Sequence, residues 1–197
     1  MVVAHDSLSQ TLTILAVMIV IYLSTFETTV VILFPAVLLI TGLVLQFYLQ
    51  RRVEVVDSLA ESAGNIGFYT LIALAGIALA SFMAPTVSRL PKMELTGVDA
   101  MLYAVLIGVA EEQFFRGAIL NFLLTLTNPT VAIFSSAAIF MVYHFAVYGT
   151  STSNLVYVLV GGLALAWAAY RSGRLSPSIL AHVINNILAF LIVRWNV

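Results

Sequence analysis

The stretch VAEEQFFRGA (109–118) sets two carboxylates and a guanidinium inside one of the most apolar parts of the chain. At the centre of a bilayer each such side chain is unfavourable by about 2.5–3.5 kcal/mol when left unpaired. A cost of that size persists where the groups pair, face a cavity or take part in a reaction. Glu112 and Arg116 are four residues apart with the glutamate first, the favourable order for an ion pair along a helix. Glu111 lies about 100° round the same helix and cannot share that face, so it needs a partner from elsewhere. Two other apolar stretches offer one. IFMVYHFAVY (139–148) carries His144 with Phe140 one turn before it, and SILAHVINNIL (178–188) carries His182 with Asn186 one turn after it. Two carboxylates, two imidazoles, a guanidinium and a carboxamide make a full set for acid–base chemistry and for stabilising an oxyanion.

Each of these residues also has a plainer reading. A lone Glu–Arg pair can clamp helices, and a single intramembrane histidine more often bonds a neighbouring helix than does chemistry. Phe140 reads as packing against the His144 ring. Asn185 and Asn186 can act as helix glue, worth about 0.6–2 kcal/mol per contact. Their joint occurrence in one short chain weighs toward chemistry.

The elements that must position these groups follow from composition. The chain has 197 residues, 62% hydrophobic and only 9% charged, where a soluble domain has about 25% charged residues. Its apolar runs approach or exceed the ~20 residues that cross a hydrocarbon core. They are continuous rather than alternating, which favours helices over a barrel. The expected fold is therefore all-α, a polytopic transmembrane helical bundle of about seven spans. These fall near 9–25, 29–49, 65–84, 100–125, 130–148, 154–171 and 177–194, as one membrane-embedded domain over 1–197 with its chemistry in 100–190. Asn128 with Pro129 marks a helix start, Gly173 a helix stop, and Ser176–Pro177 the next start. Pro35 should kink the second span or mark its first turn, and the small residues of VGGLALAWAAY (160–170) should permit close packing.

Counted at about 1.5 Å per residue from the span ends, Glu111 lies roughly 18 Å from the outer side. On the same count His144 and His182 lie roughly 20 and 9 Å from the inner side. In a core about 30 Å thick, all three can meet in its middle or inner half. Arg51, Arg52, Arg171 and Arg174 fall on one side of a seven-span chain, against Arg89, Lys92 and Arg194 on the other. The positive-inside rule then gives a cytoplasmic N-terminus for a multi-pass protein of the cell membrane. The first apolar run lacks a basic leader and reads as a retained span.

Composition also excludes. Without cysteine there are no disulfides, thiolate nucleophiles or Cys-based metal sites. A formal net charge of −1 with few basic residues leaves no nucleic-acid surface. The expected surroundings are the lipid bilayer and whatever it carries.

EEQFFR (111–116), FMVYH (140–144) and HVINN (182–186) resemble the EExxxR, FxxxH and HxxxN motifs of the CPBP intramembrane proteases. This is the CAAX protease and bacteriocin-processing (Abi) family, which includes the Ras-converting type of CAAX endopeptidase. The motifs occur in the family's order, one per expected span, and the first three spans carry none. The resemblance implies an all-helical intramembrane endopeptidase acting on a membrane-associated peptide or protein, prenylated or not. It implies that Glu111 and His144 activate a water while His182 and Asn186 stabilise the oxyanion. Glu112 counts both as a catalytic candidate and as the ion-pair partner of Arg116. The family is commonly labelled metalloprotease, and Glu111, His144 and His182, with Glu112, offer N and O ligands for Zn²⁺. HExxH is absent, however, and a metal-free, glutamate-based activation of water suits the same residues equally. Two further readings stay open. One is a small transporter or proton-relay protein, although the inverted repeats and broken helices that go with it are not evident. The other is a bacteriocin-immunity-type binding protein.

Overall fold

The computed structural model describes residues 34–48, 63–83 and 97–195, and every regular element among them is a helix. They are α1 (Phe34–Tyr48), α2 (Ala63–Met83), α3 (Val98–Glu112), a π-helical segment (Gln113–Leu120), α4 (Asn121–Leu126), α5 (Pro129–Tyr143), α6 (Phe145–Tyr148), α7 (Thr152–Ser172) and α8 (Ser176–Trp195). The span expected at 9–25 lies outside the described residues, as do most of the linker 50–64 and of the loop 86–99. The all-helical expectation holds for what is described. Among the described residues, three helices are long and apolar enough to cross a membrane: Asn65–Phe82, Pro129–Tyr148 and Thr152–Ser172. Phe34–Phe47 and Ser176–Leu191 are apolar but shorter. The fourth expected span is a run of helix from α3 through the π segment to α4, divided by the change of helical winding. The count of seven is thus met only in part, while the chain's character as a membrane protein is plain.

Local chemistry sets the boundaries near the site. Asn128 has extended backbone and its side chain accepts from the Val131 amide at 3.0 Å, with Pro129 next in the first turn of α5. This satisfies an amide that the helix itself leaves unpaired. α7 stops at Gly173, whose φ of 68° is left-handed and suits glycine at a helix end. α8 then starts at Ser176 with Pro177 in its first turn.

α7 is packed by α2, α5 and α8, and α8 also lies on α3 and α2. The small residues expected to allow close packing do so. A Cβ on Gly76 of α2 would stand 2.5 Å from that of Ala164 on α7. α1 covers the π segment, and a Cβ on Gly42 would meet the Phe114 backbone at 3.0 Å. Phe114, Phe115, Ala118 and Ile119 fill the centre with Leu38, Leu45, Phe140, Tyr143 and Val158. Large apolar side chains such as Phe47, Leu71 and Phe82 point outward, as hydrocarbon allows. Lipid gives helices no hydrophobic reason to associate, so van der Waals fit and interhelical hydrogen bonds must hold the bundle.

Candidate active site

The π segment is where the charges sit. Glu111 and Glu112 end α3, Arg116 lies inside Gln113–Leu120, and every residue of that segment is buried. π-helical turns inside α-helices are rare and recur at functional sites. Gln113 adds a polar tie here, donating from Nε2 to Oε1 of Gln46 on α1.

Glu112 is fully buried and its Oε1 accepts two hydrogen bonds at once. Arg116 Nη1 donates at 2.8 Å and His182 Nδ1 at 2.7 Å. The expected Glu112–Arg116 pair is therefore present, and it reaches a third helix through His182. Arg116 is itself held twice more. Its Nη2 donates to the Gly162 carbonyl of α7 at 3.0 Å, and its guanidinium lies over the Phe140 ring, 4.4 Å from the centroid. Charge-assisted bonds and a cation–π contact together offset part of the cost of burying the ion. Gly162 leaves the space for this, since a Cβ there would meet Phe140 at 3.2 Å and Arg116 Nη2 at 3.5 Å.

With the proton of His182 on Nδ1, its Nε2 faces Glu111, 3.5 Å from Oε2. That separation is longer than a direct N–H···O bond. The other oxygen of Glu111 accepts from the Tyr143 hydroxyl at 3.1 Å. Glu111, Glu112, Arg116 and His182 are thus brought together, with Tyr143 added from α5.

His144 interrupts a helix. α5 ends at Tyr143 and α6 begins at Phe145, with His144 between them at φ −77°, ψ −4°. This is the bridge region, where many active-site residues sit. Its ring Nδ1 donates to the Phe140 carbonyl at 2.9 Å. Because a carbonyl only accepts, Nε2 is left as the ring's acceptor. Phe140, Tyr143 and Tyr148 surround the ring at centroid distances of 4.4, 4.9 and 5.9 Å. Among the described residues no hydrogen bond joins His144 to Glu111; Tyr143 stands between them, touching the one with its ring and the other with its hydroxyl. Phe140 packs on His144 as expected, and it also meets His182 edge-on at 5.9 Å.

Asn186 is tied to α3, with Nδ2 donating to the Ala104 carbonyl at 3.2 Å. Gly108 makes room for it, a Cβ there standing 3.2 Å from Asn186 Nδ2. A carboxamide has two N–H donors, so one remains for other work. Asn185 turns to α7 instead, where its Oδ1 accepts from the Tyr157 hydroxyl at 2.9 Å.

Among the described residues no three His, Asp or Glu side chains are grouped to hold one metal ion. Glu111, His144 and His182 therefore do not form a zinc cage in this arrangement. His182 Nδ1 is committed to Glu112, and the Arg116 guanidinium in the same cluster opposes a second cation.

Four contributors were not singled out as site residues from sequence. Tyr143 shares a helix face with Phe140, three residues away, which was a usable signal. Gln46 and Gln113 stand in apolar runs, which was another. Gly162 read only as a packing glycine, and nothing in its sequence context marks a carbonyl that receives an arginine.

Residues 94–188 match the family model described as type II CAAX prenyl endopeptidase Rce1-like. No curated protein and no solved structure matches the chain. The matched segment contains EEQFFR, FMVYH and HVINN and, with them, every residue of the cluster around Glu112 and Glu111. Residues 94–188 are thus similar to the Rce1-like type II CAAX prenyl endopeptidases, consistent with a membrane peptidase of the CPBP family of CAAX proteases.

Proposed function

We propose that the protein is an intramembrane endopeptidase that hydrolyses a peptide bond in a membrane-associated substrate of the prenylated CAAX type. Glu111 is the base that takes a proton from water, and the water oxygen attacks the scissile carbonyl. His144, with Nε2 as acceptor, orients that water, and Glu111 then gives the proton it took to the leaving amine. His182, protonated at Nε2 during the reaction, donates to the oxyanion, and Glu112 stabilises its imidazolium through Nδ1–H. A buried carboxylate serves histidine in the same way in hydrolase triads. The second N–H of Asn186 completes the oxyanion site without adding another buried charge. The tetrahedral adduct then collapses to a carboxylic acid and an amine. Every proton in this sequence is carried by the chain's own residues.

The observation that carries this reading is the buried line Arg116–Glu112–His182–Glu111, with links of 2.8, 2.7 and 3.5 Å. A clamp needs only its first link. The further links aim an oriented imidazole at a second carboxylate, which is acid–base equipment. A lipid-anchored peptide is the substrate class that reaches such a site, since the anchor holds the scissile bond at the membrane.

The test is cleavage of farnesylated and unmodified CAAX peptides by purified protein in detergent or vesicles, with products identified by mass. Wild type should release the C-terminal tripeptide from the farnesylated peptide, and Glu111→Gln should not. No cleavage of any peptide by folded wild type, or equal cleavage by Glu111→Gln, would overturn the proposal.

A further inference from the structure

We infer that Tyr143 is the positioning residue for Glu111, fixing which carboxylate oxygen is turned toward the reacting water; this rests on the peptidase reading above. Glu112 is held by both Arg116 and His182, whereas Glu111 has one hydrogen-bond partner within ordinary distance among the described residues. That partner is the Tyr143 hydroxyl, 3.1 Å from Oε1. Glu111 has three side-chain torsions, and a base that wanders by an ångström loses much of its effect.

The hydroxyl itself is well placed because its ring cannot move. Tyr143 is 3% exposed, and aromatic rings pack on it from three directions. Phe34 of α1 stacks at 6.2 Å, Phe115 of the π segment lies at 5.2 Å, and Phe140 of its own helix at 6.4 Å. The fourth neighbour is His144, at 4.9 Å. Tyr143 is the last residue of α5, immediately before the break at His144. One turn of chain therefore sets the place of the imidazole and, through the phenol, of the carboxylate.

The consequence is directional. With Oε1 occupied by Tyr143, Oε2 is the oxygen left facing His182 Nε2. Oε2 is then the atom that receives the water's proton, on the same side as the imidazole that serves the oxyanion. Packing alone would be met by phenylalanine, which has the ring and lacks the donor.

The deciding experiment compares wild type, Tyr143→Phe, Glu111→Gln and the double variant on a farnesylated CAAX peptide, with melting temperature measured for each. Tyr143→Phe should lower kcat about 10–100-fold with KM within about two-fold and a melting temperature close to wild type. In the Glu111→Gln background the same change should lower the residual rate no further, because coupled residues are not additive. If wild type cleaves, Glu111→Gln does not, and Tyr143→Phe keeps full kcat, the inference falls while the peptidase reading stands. A Tyr143→Phe protein that fails to fold, or loses KM and stability together, assigns Tyr143 to the core and overturns it too. Folded wild type that cleaves nothing removes both.

Discussion

His182 Nδ1 lies 2.7 Å from Glu112 Oε1, which fastens α8 to the end of α3 at the oxygen already taken by Arg116. The bond gives Glu112 two tasks. It neutralises the guanidinium, and it fixes the imidazole so that Nε2 points at Glu111. Removing the carboxylate should therefore damage stability and rate for separate physical reasons.

Glu112→Gln leaves Arg116 buried without its countercharge. Breaking a buried pair from one side costs about 3–5 kcal/mol, so the melting temperature should fall sharply. Any protein that still folds should turn over slowly, because an amide holds the His182 imidazolium less well than a carboxylate does. Thermal melts and peptide cleavage by the same preparation check both effects. A variant of wild-type stability and no activity would mean that Glu112, rather than Glu111, is the base.

Gly162→Ala probes the other side of the arginine. The new methyl would press on the Phe140 ring and come within van der Waals range of Arg116 Nη2. Overpacking of a filled site typically costs about 1–3 kcal/mol, and the displaced guanidinium should pull Glu112 with it. Both stability and turnover should drop, with less effect from Gly161→Ala, whose Cβ would meet only Ile77 at 3.7 Å. Equal effects of the two substitutions would argue against a particular role for the Gly162 carbonyl.

What was legible from sequence divides along physical lines. The Glu112–Arg116 pair was visible because helical spacing alone brings i and i+4 together. The helix starts at Pro129 and Ser176 and the stop at Gly173 were visible because caps are local chemistry. The Glu112–His182 bond was not, since it joins residues 70 apart and depends on how α8 lies on α3. The π winding of QFFRGAIL was hidden as well, because a single interior glycine, Gly117, does not tell π from α winding, and the whole segment is buried. Tyr143 was passed over because an aromatic at that position packs well whether or not its hydroxyl works. The span count suffered for a related reason. Helix α3, the π segment and α4 form one run of winding whose middle holds the site's charges, so apolar length describes it poorly.

Metal dependence can be tested directly. Zinc would have to bind beside the Arg116 guanidinium and without His182 Nδ1 and Glu112 Oε1, which are already paired with each other. Extended treatment with chelators should leave turnover of the purified protein unchanged, and metal analysis should give far less than one ion per chain. Stoichiometric zinc whose removal abolishes cleavage, and whose return restores it, would require these side chains to rearrange in the active state.

Asn186 separates oxyanion chemistry from helix glue. In the structure one of its N–H groups goes to the Ala104 carbonyl of α3, which is glue, and interhelical contacts of that kind are worth about 0.6–2 kcal/mol. The proposed reaction uses its other N–H, and loss of one oxyanion donor typically costs roughly 10²–10³-fold in kcat. Asn186→Ala should therefore show a small fall in melting temperature beside a large fall in turnover. Asn185→Ala is the matched control. It also removes one half-buried amide contact, the one with Tyr157 on α7, but takes nothing from the reaction, so stability should fall while turnover stays near wild type. The two variants start from adjacent residues on one helix and lose one interhelical hydrogen bond each, so a difference in kcat between them reads chemistry rather than packing. Equal turnover in both, at equal stability, would return Asn186 to a purely structural part.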